Sequence, residues 1–491
     1  MSKTHSILLV TSEVYPFLKT SELADLCYAH SLGVRETGHD IRVMFPKYGF
    51  ISERKNRIHE IKRLIDIPIP VGKEDSLATV KSSSINNPRV KVQSYITTNV
   101  NYLDANKGVL ADNTTGKEFA DNDERFIFFN RTVLETCVLL GWFPDIIHCV
   151  GWQTALVPAY IRTMYANEFK KTKIVMTISD FTEQGVFSLK SLAKTGLPAA
   201  GMNAAKYKNK MNFLRAGMAF ADGLTTLSPG YAAELNADKE YKANWATIHK
   251  KKKLVGMPHG IDLMQWNPKT DPFLRSKFDA KDTTPKGRVR EQLQRSSGMK
   301  VDHAAMVVSY IGPLTKELGA EILLAAIPSI IKTGVQVLIA TDIPTEYSKQ
   351  FQQLAKKSAG ALGVKVGMDE EFVHNTLAGS AAIIKAPKSE ASGQFQRCAL
   401  RYGTIPILRV TGGISEGMTD VIEATTEGNA FLFKKADAKE VAKTVERAFA
   451  LFNDAPKWQK IMINAMGTNV AWTNSAKPYD EYYRNIVKES K

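Results

Sequence analysis

The sequence predicts an α/β protein built from doubly wound parallel sheets, and three observations carry that prediction. Short apolar runs end in polar or glycine-containing turns and alternate with segments of helical period. The alternation comes in two series, divided by a turn-rich, charged stretch at residues 258–300. Residues 382–413 hold the whole pattern in one unit: apolar strand, polar loop, helix, second apolar strand, glycine turn.

In the first series, residues 6–10 (SILLV) read as a buried strand, 21–37 as a helix closed by Gly38, and 41–45 as a strand ending at Pro46. Lys19 and Thr20 therefore fall in the first strand–helix loop, where a lysine suits a phosphate contact. Residues 60–120 read as strands and loops of alternating character, for example 89–96. A long amphipathic helix is predicted over 123–140, a strand over 145–148, a helix over 154–165 and a strand over 173–178. The strand at 221–227 leads to Ser228 as N-cap with Pro229 at the first helical position.

The second series starts at 306–311 and continues through 335–340 to the 382–413 unit. There Ile383 and Ile384 belong to a strand ended by Lys385, Ala386 and Pro387. Glu390 and Gly393 lie in the loop, 395–401 is the helix, and 405–410 is the strand that runs into Thr411, Gly412 and Gly413. Ligands of open α/β sheets bind beyond the carboxyl ends of the strands, so this unit is a candidate anion or sugar site. Ordinary turn chemistry is the competing explanation. The last helical segment spans 479–488.

With 491 residues, 44% hydrophobic and 23% charged, the chain is long enough for two large cores and ordinary for a soluble globular protein. No stretch is long and apolar enough for a bilayer, which leads to the expectation of a soluble, cytoplasmic protein without membrane contact. Cys27, Cys137, Cys149 and Cys398 are far apart and read as reduced, buried thiols. No His, Cys, Asp or Glu cluster has metal-ligand spacing, so neither a metal nor another cofactor is expected. The net charge of +15 raises nucleic acid or an anionic surface as a partner. The only dense basic run is 250–253, and no aromatic-rich basic groove accompanies it, so it reads as a solvated loop and nucleic-acid binding is the least supported option.

Several segments together resemble bacterial glycogen synthases and plant starch synthases over nearly the whole length. They are SEVYPFLKTSELADL (12–26), PDIIHCVGWQTALVPAYI (144–161), NFLRAGMAFADGLTTLSPGYAAEL (212–235), GIDLMQWNPKTDPF (260–273) and ALRYGTIPILRVTGG (399–413). The resemblance implies the GT-B architecture, two facing Rossmann-like domains with a deep interdomain cleft. It places an N-terminal acceptor-side domain at 1–258, a connection at 259–300, a nucleotide-sugar-side domain at 301–468 and, at 469–491, a C-terminal helix crossing back. It further implies glucose transfer with retention, from ADP-glucose or alternatively UDP-glucose, to the nonreducing end of an α-1,4-glucan.

Residue by residue, the family's K-T-G-G-L-A-D loop is matched by Lys19, Thr20, Leu23, Ala24 and Asp25, but its two glycines are Ser21 and Glu22. Of H-x-x-D-W-H, His148 and Trp152 match while Gly151 and Gln153 replace the aspartate and second histidine. The family's active-site histidine, in T-V-H-N-x-x-Y-Q-G, is Ser179; its asparagine is Asp180 and its tyrosine Glu183. The arginine and lysine of S-R-L-T-x-Q-K-G are Pro313 and Leu318, with Lys316 a nearby cation. Glu390 matches the catalytic glutamate. Lys19, Asp25, Gly393, Thr411, Gly412 and Gly413 match substrate-binding positions. Retaining transfer develops negative charge on the departing diphosphate, so cations and N–H donors matter at this site. Their replacement supports a second reading, a non-catalytic relative that binds glucan, regulates or scaffolds.

Overall fold

The computed structural model describes residues 4–239, 241–242, 245 and 252–488. The chain divides into two compact units. Unit 1 comprises Met1–Asp112, Lys117–His259 and Trp472–Lys491, and unit 2 comprises Asn113–Gly116 and Gly260–Ala471.

Unit 1 is built on β1 (Ser6–Val10), β2 (Asp40–Pro46), β3 (Glu74–Asn86), β4 (Lys91–Thr98), β5 (Ile146–Val150), β6 (Lys173–Ile178), β7 (Gly223–Thr226) and β8 (Leu254–Gly256). Their order across the sheet is β8-β7-β6-β5-β1-β2-β4-β3. All neighbours are parallel except β3 with β4. In register, Leu9 lies between Val43 and His148. The central strands β1, β5 and β6 are buried along almost their whole length and mostly apolar, as a parallel sheet packed on both faces requires; His148 and Thr177 are the polar side chains carried into that interior. The chain moves outward from β1 through β2, then returns to the other side of β1 as β5, which makes the β1/β5 junction the switch point of this sheet.

Two helices matter for this junction. Helix α1 (Glu22–Glu36) begins at Ser21, whose hydroxyl accepts from the Leu23 N–H at 3.1 Å. A long buried helix, α2 (Asn122–Leu140), packs Phe126, Phe128 and Phe129 into the core. The single helix expected over 154–165 is instead a 3-10 turn, Trp152–Thr154, followed by a helix at Val157–Thr163. The reason is local: Asn130 Oδ1 accepts from the N–H groups of Leu156 and Val157 at 3.0 and 2.9 Å, and Pro158 suits a first turn because its missing N–H has no helical partner there. Ser228 caps the following helix by accepting from the Tyr231 N–H at 3.0 Å.

Unit 2 carries a six-stranded, all-parallel sheet: β9 (Val307–Ile311), β10 (Gln336–Thr341), β11 (Leu362–Val366), β12 (Ala382–Lys385), β13 (Ile405–Arg409) and β14 (Phe431–Phe433). The order is β11-β10-β9-β12-β13-β14, so its switch point is β9/β12. Helices α3 (Ala320–Lys332) and α4 (Gln394–Arg401) follow β9 and β12. The stretch 260–300 packs within unit 2, with Trp266, Leu274, Phe278 and Val289 in its core and a helix at Lys286–Ser296. The final helix, α5 (Thr473–Lys488), belongs to unit 1 and starts six residues before the expected 479. Pro478 looks like a boundary in sequence, yet here it lies inside the helix.

Candidate functional site

In unit 1 the loop leaving β1 is organised by Glu13, a residue the sequence reading passed over. Its carboxylate is 3% exposed and accepts from the Thr20 N–H at 2.7 Å, the Thr20 hydroxyl at 2.9 Å and the Ser21 N–H at 3.1 Å, and also from the Ser21 hydroxyl. Burial pushes the Glu13 carboxyl up, and the same four hydrogen bonds oppose that rise. The N–H groups at the entry to α1, the natural place for a phosphate, are thus held by an internal carboxylate. Lys19 Nζ lies 2.7 Å from Asp25 Oδ2, an ion pair whose aspartate is buried. Glu183 is an exposed residue, yet desolvation of its carboxyl and the nearby Asp180, Glu13 and Glu118 push it up to about 7.

Behind this loop, His148 is a packed residue. Its Nδ1 is 2.5 Å from the Tyr483 hydroxyl and its Nε2 2.6 Å from Thr177 Oγ1. Tyr483 also reaches His30 Nε2 at 2.8 Å, so one α5 hydroxyl bridges two imidazoles. Desolvation, reinforced by His259, holds His148 at about 3, and desolvation with His148 and His259 holds His30 well below the ordinary histidine value. His259 Nδ1 faces the carbonyls of Leu227 and Met257 at 2.7 and 2.9 Å. None of the three is placed as an exposed acid or base.

In unit 2 the structure brings Glu390, Gly393 and the 411–413 turn together. The Gly413 N–H donates to the Glu390 carbonyl at 2.9 Å, and Thr411 Oγ1 donates to the Lys388 carbonyl at 3.3 Å. Gly412, at φ +50°, lies so close that a Cβ there would overlap the Glu390 carbonyl oxygen. Gly393 is the left-handed N-cap of α4, and buried Arg397 donates back to the carbonyls of Ser392 and Gly393 at 2.6 and 3.2 Å. Gln396 donates to Glu390 Oε1 at 3.3 Å. Among the lost family cations, Pro313 is exposed and Leu318 half-buried, while Lys316 is exposed on the same loop. The Lys19–Asp25 pair and the Glu390 cluster belong to different units.

Elsewhere, Lys252 Nζ donates to the carbonyls of Met218 and Ala219 at 3.0 and 2.8 Å, so this member of the basic run is tied to the fold; Lys250 and Lys251 lie outside the described residues. The four cysteines are buried, and none of them forms a disulfide. Among the described residues no helix is long and apolar enough to cross a membrane.

Two Rossmann-like units, each built on a doubly wound and largely parallel sheet, make up a GT-B glycosyltransferase fold. A family model described as the starch synthase catalytic domain matches residues 6–246. The chain is 31% identical over 490 residues to a glycogen synthase of Chlorobium phaeobacteroides and 33% identical over 495 residues to one of Chlorobium limicola, each alignment covering 99% of both chains. Its structure is similar to the catalytic domain of starch synthase IV from Arabidopsis thaliana bound to ADP and acarbose, with a TM-score of 0.87 and 25% identity, covering 99% of this chain and 100% of that one. The chain therefore belongs to the glycogen and starch synthase family of glucosyltransferases.

Proposed function

We propose that the chain transfers glucose from ADP-glucose, with UDP-glucose as the alternative donor, to an α-1,4-glucan. The observation that carries this reading is the Glu390 loop, which is fixed on both sides: by the Gly412–Gly413 backbone and by Arg397 on the Ser392 and Gly393 carbonyls. In this reading Glu390 stabilises the oxocarbenium-like glucose, and Gly393, Thr411, Gly412 and Gly413 lend their backbone to the substrate. Lys19 and Asp25 contribute as a pair from unit 1, which takes the acceptor, while unit 2 takes the nucleotide sugar. The ADP held by the Arabidopsis relative supports an adenine donor. Four buried, unlinked thiols suit a cytoplasmic setting.

A second reading, a non-catalytic glucan-binding or regulatory relative, is favoured by a specific feature of unit 1. Glu13 holds the loop amides that would otherwise meet a diphosphate, and Ser179 stands in the place of the family's histidine. The deciding experiment incubates purified protein with labelled ADP-glucose or UDP-glucose and a glycogen primer. Polymer labelling well above a Glu390→Ala control is the expected result. Absence of labelling, with co-sedimentation on glycogen retained, would establish the second reading instead.

A further inference from the structure

Lys385 ends β12, directly at the β9/β12 switch point, and only 3% of it is exposed. Its neighbours Ile383 and Ile384 are core residues, and the strand geometry alone would accept another aliphatic chain here. Instead, the ammonium lies 4.9 Å from the Tyr310 ring centre and 5.9 Å from that of Phe395. Two aromatic faces partly replace the hydration that burial removes from the cation.

The surrounding backbone is shaped around this ammonium. Gly312, at φ +135°, follows β9, and a Cβ there would lie 3.1 Å from Lys385 Nζ. The Tyr310 hydroxyl donates to the Pro313 carbonyl at 2.5 Å, which ties the ring over Lys385 to the loop after β9. That loop is in turn fastened to the segment after β12, because the Lys388 N–H donates to the Glu317 carbonyl at 2.7 Å and Lys388 Nζ pairs with Glu321 at 3.1 Å. The positive charge therefore sits under the junction of the two loops that follow the switch-point strands, in a region of low dielectric where its effect on an anion is large.

We infer that Lys385 supplies the cationic charge that holds the diphosphate of a nucleotide ligand at the carboxyl end of the unit 2 sheet. Pro313 and Leu318 carry no charge, and Lys316 is exposed on the same loop. The inference rests on the nucleotide-sugar reading above and assigns its phosphate contact to a residue that no motif match marks.

The test uses the full chain, with inorganic pyrophosphate, ADP and UDP as probes in titration calorimetry. Lys385→Met is expected to weaken pyrophosphate and ADP at least tenfold, whereas Lys316→Ala leaves both within twofold. In the wild-type protein, pyrophosphate is expected to slow hydrogen exchange in peptides spanning 306–319 and 382–393, a readout that does not depend on whether the variant folds. Binding by Lys385→Met within twofold of wild type, loss of binding in Lys316→Ala, or protection confined to other peptides would overturn the proposal. Pyrophosphate binding with neither ADP nor UDP bound would sink the nucleotide-sugar reading alone, because the Lys385 variant would still decide the anion contact. A wild-type chain that binds none of the three probes overturns both.

Discussion

Acid should loosen unit 1 through His148. This imidazole is held at about 3 in the folded protein, against an ordinary value of 6.5, chiefly because it is buried. A folded state that binds fewer protons than the unfolded chain loses stability as pH falls through the interval between the two values, here from about 6.5 down to about 3. At pH 5 the unfolded histidine is almost wholly protonated and the folded one almost wholly neutral. The penalty is then about 1.5 pH units at 1.36 kcal/mol each, or about 2 kcal/mol. His30 adds a penalty of the same sign. For a domain of this size the His148 contribution alone corresponds to roughly 4–8 °C in melting temperature. Thermal melts at pH 7.5 and 5.0 of wild type and of His148→Gln, which cannot be protonated in this range, provide the assay. The variant should be less stable at pH 7.5 because it disturbs the bonds to Tyr483 and Thr177, yet it should lose less on acidification. An equal acid-induced drop in both proteins would refute the reasoning.

Three further outcomes follow from contacts already described. Tyr483→Phe removes the hydroxyl shared by His30 and His148 and should cost roughly 1–3 kcal/mol in denaturant unfolding at neutral pH, since buried nitrogens lose their partner. Glu13→Ala withdraws the acceptor from two N–H groups and two hydroxyls at the start of α1, so a destabilisation of about 2–4 kcal/mol is expected by the same measurement. Gly412→Ala places a methyl against the Glu390 carbonyl at a positive φ; it should destabilise unit 2 by more than about 2 kcal/mol and abolish polymer labelling in the glucose-transfer assay.

The parallel sheets were legible because buried strands must be apolar on both faces, so SILLV at 6–10 and the run at 405–410 announce themselves. The proximity of Glu390 to the 411–413 turn was readable as two consecutive strand ends on one side of a sheet. What escaped was chemistry carried by single polar residues with irregularly spaced partners. Glu13 looks like a polar strand end, and nothing periodic says that the amides seven and eight residues later will close on it. Lys385 likewise reads only as the end of an apolar strand. Its long stem lets it run inward between Tyr310 and Phe395 instead. The helix near 154–165 was misplaced because its start is set by Asn130, more than twenty residues upstream.

The assignment of α5 to unit 1 has a consequence for biosynthesis. The pocket around His30 and His148 is closed by Tyr479 and Tyr483, which are translated only after all of Gly260–Ala471. At ordinary elongation rates the ribosome needs on the order of 10–40 s to make that intervening stretch. During this interval the nascent first unit carries a cluster of uncovered imidazoles and apolar side chains. Unit 2 has all of its strands in one uninterrupted run, so it can complete its sheet first. The earlier-made unit is therefore the later one to finish, since its sheet awaits the helix made last.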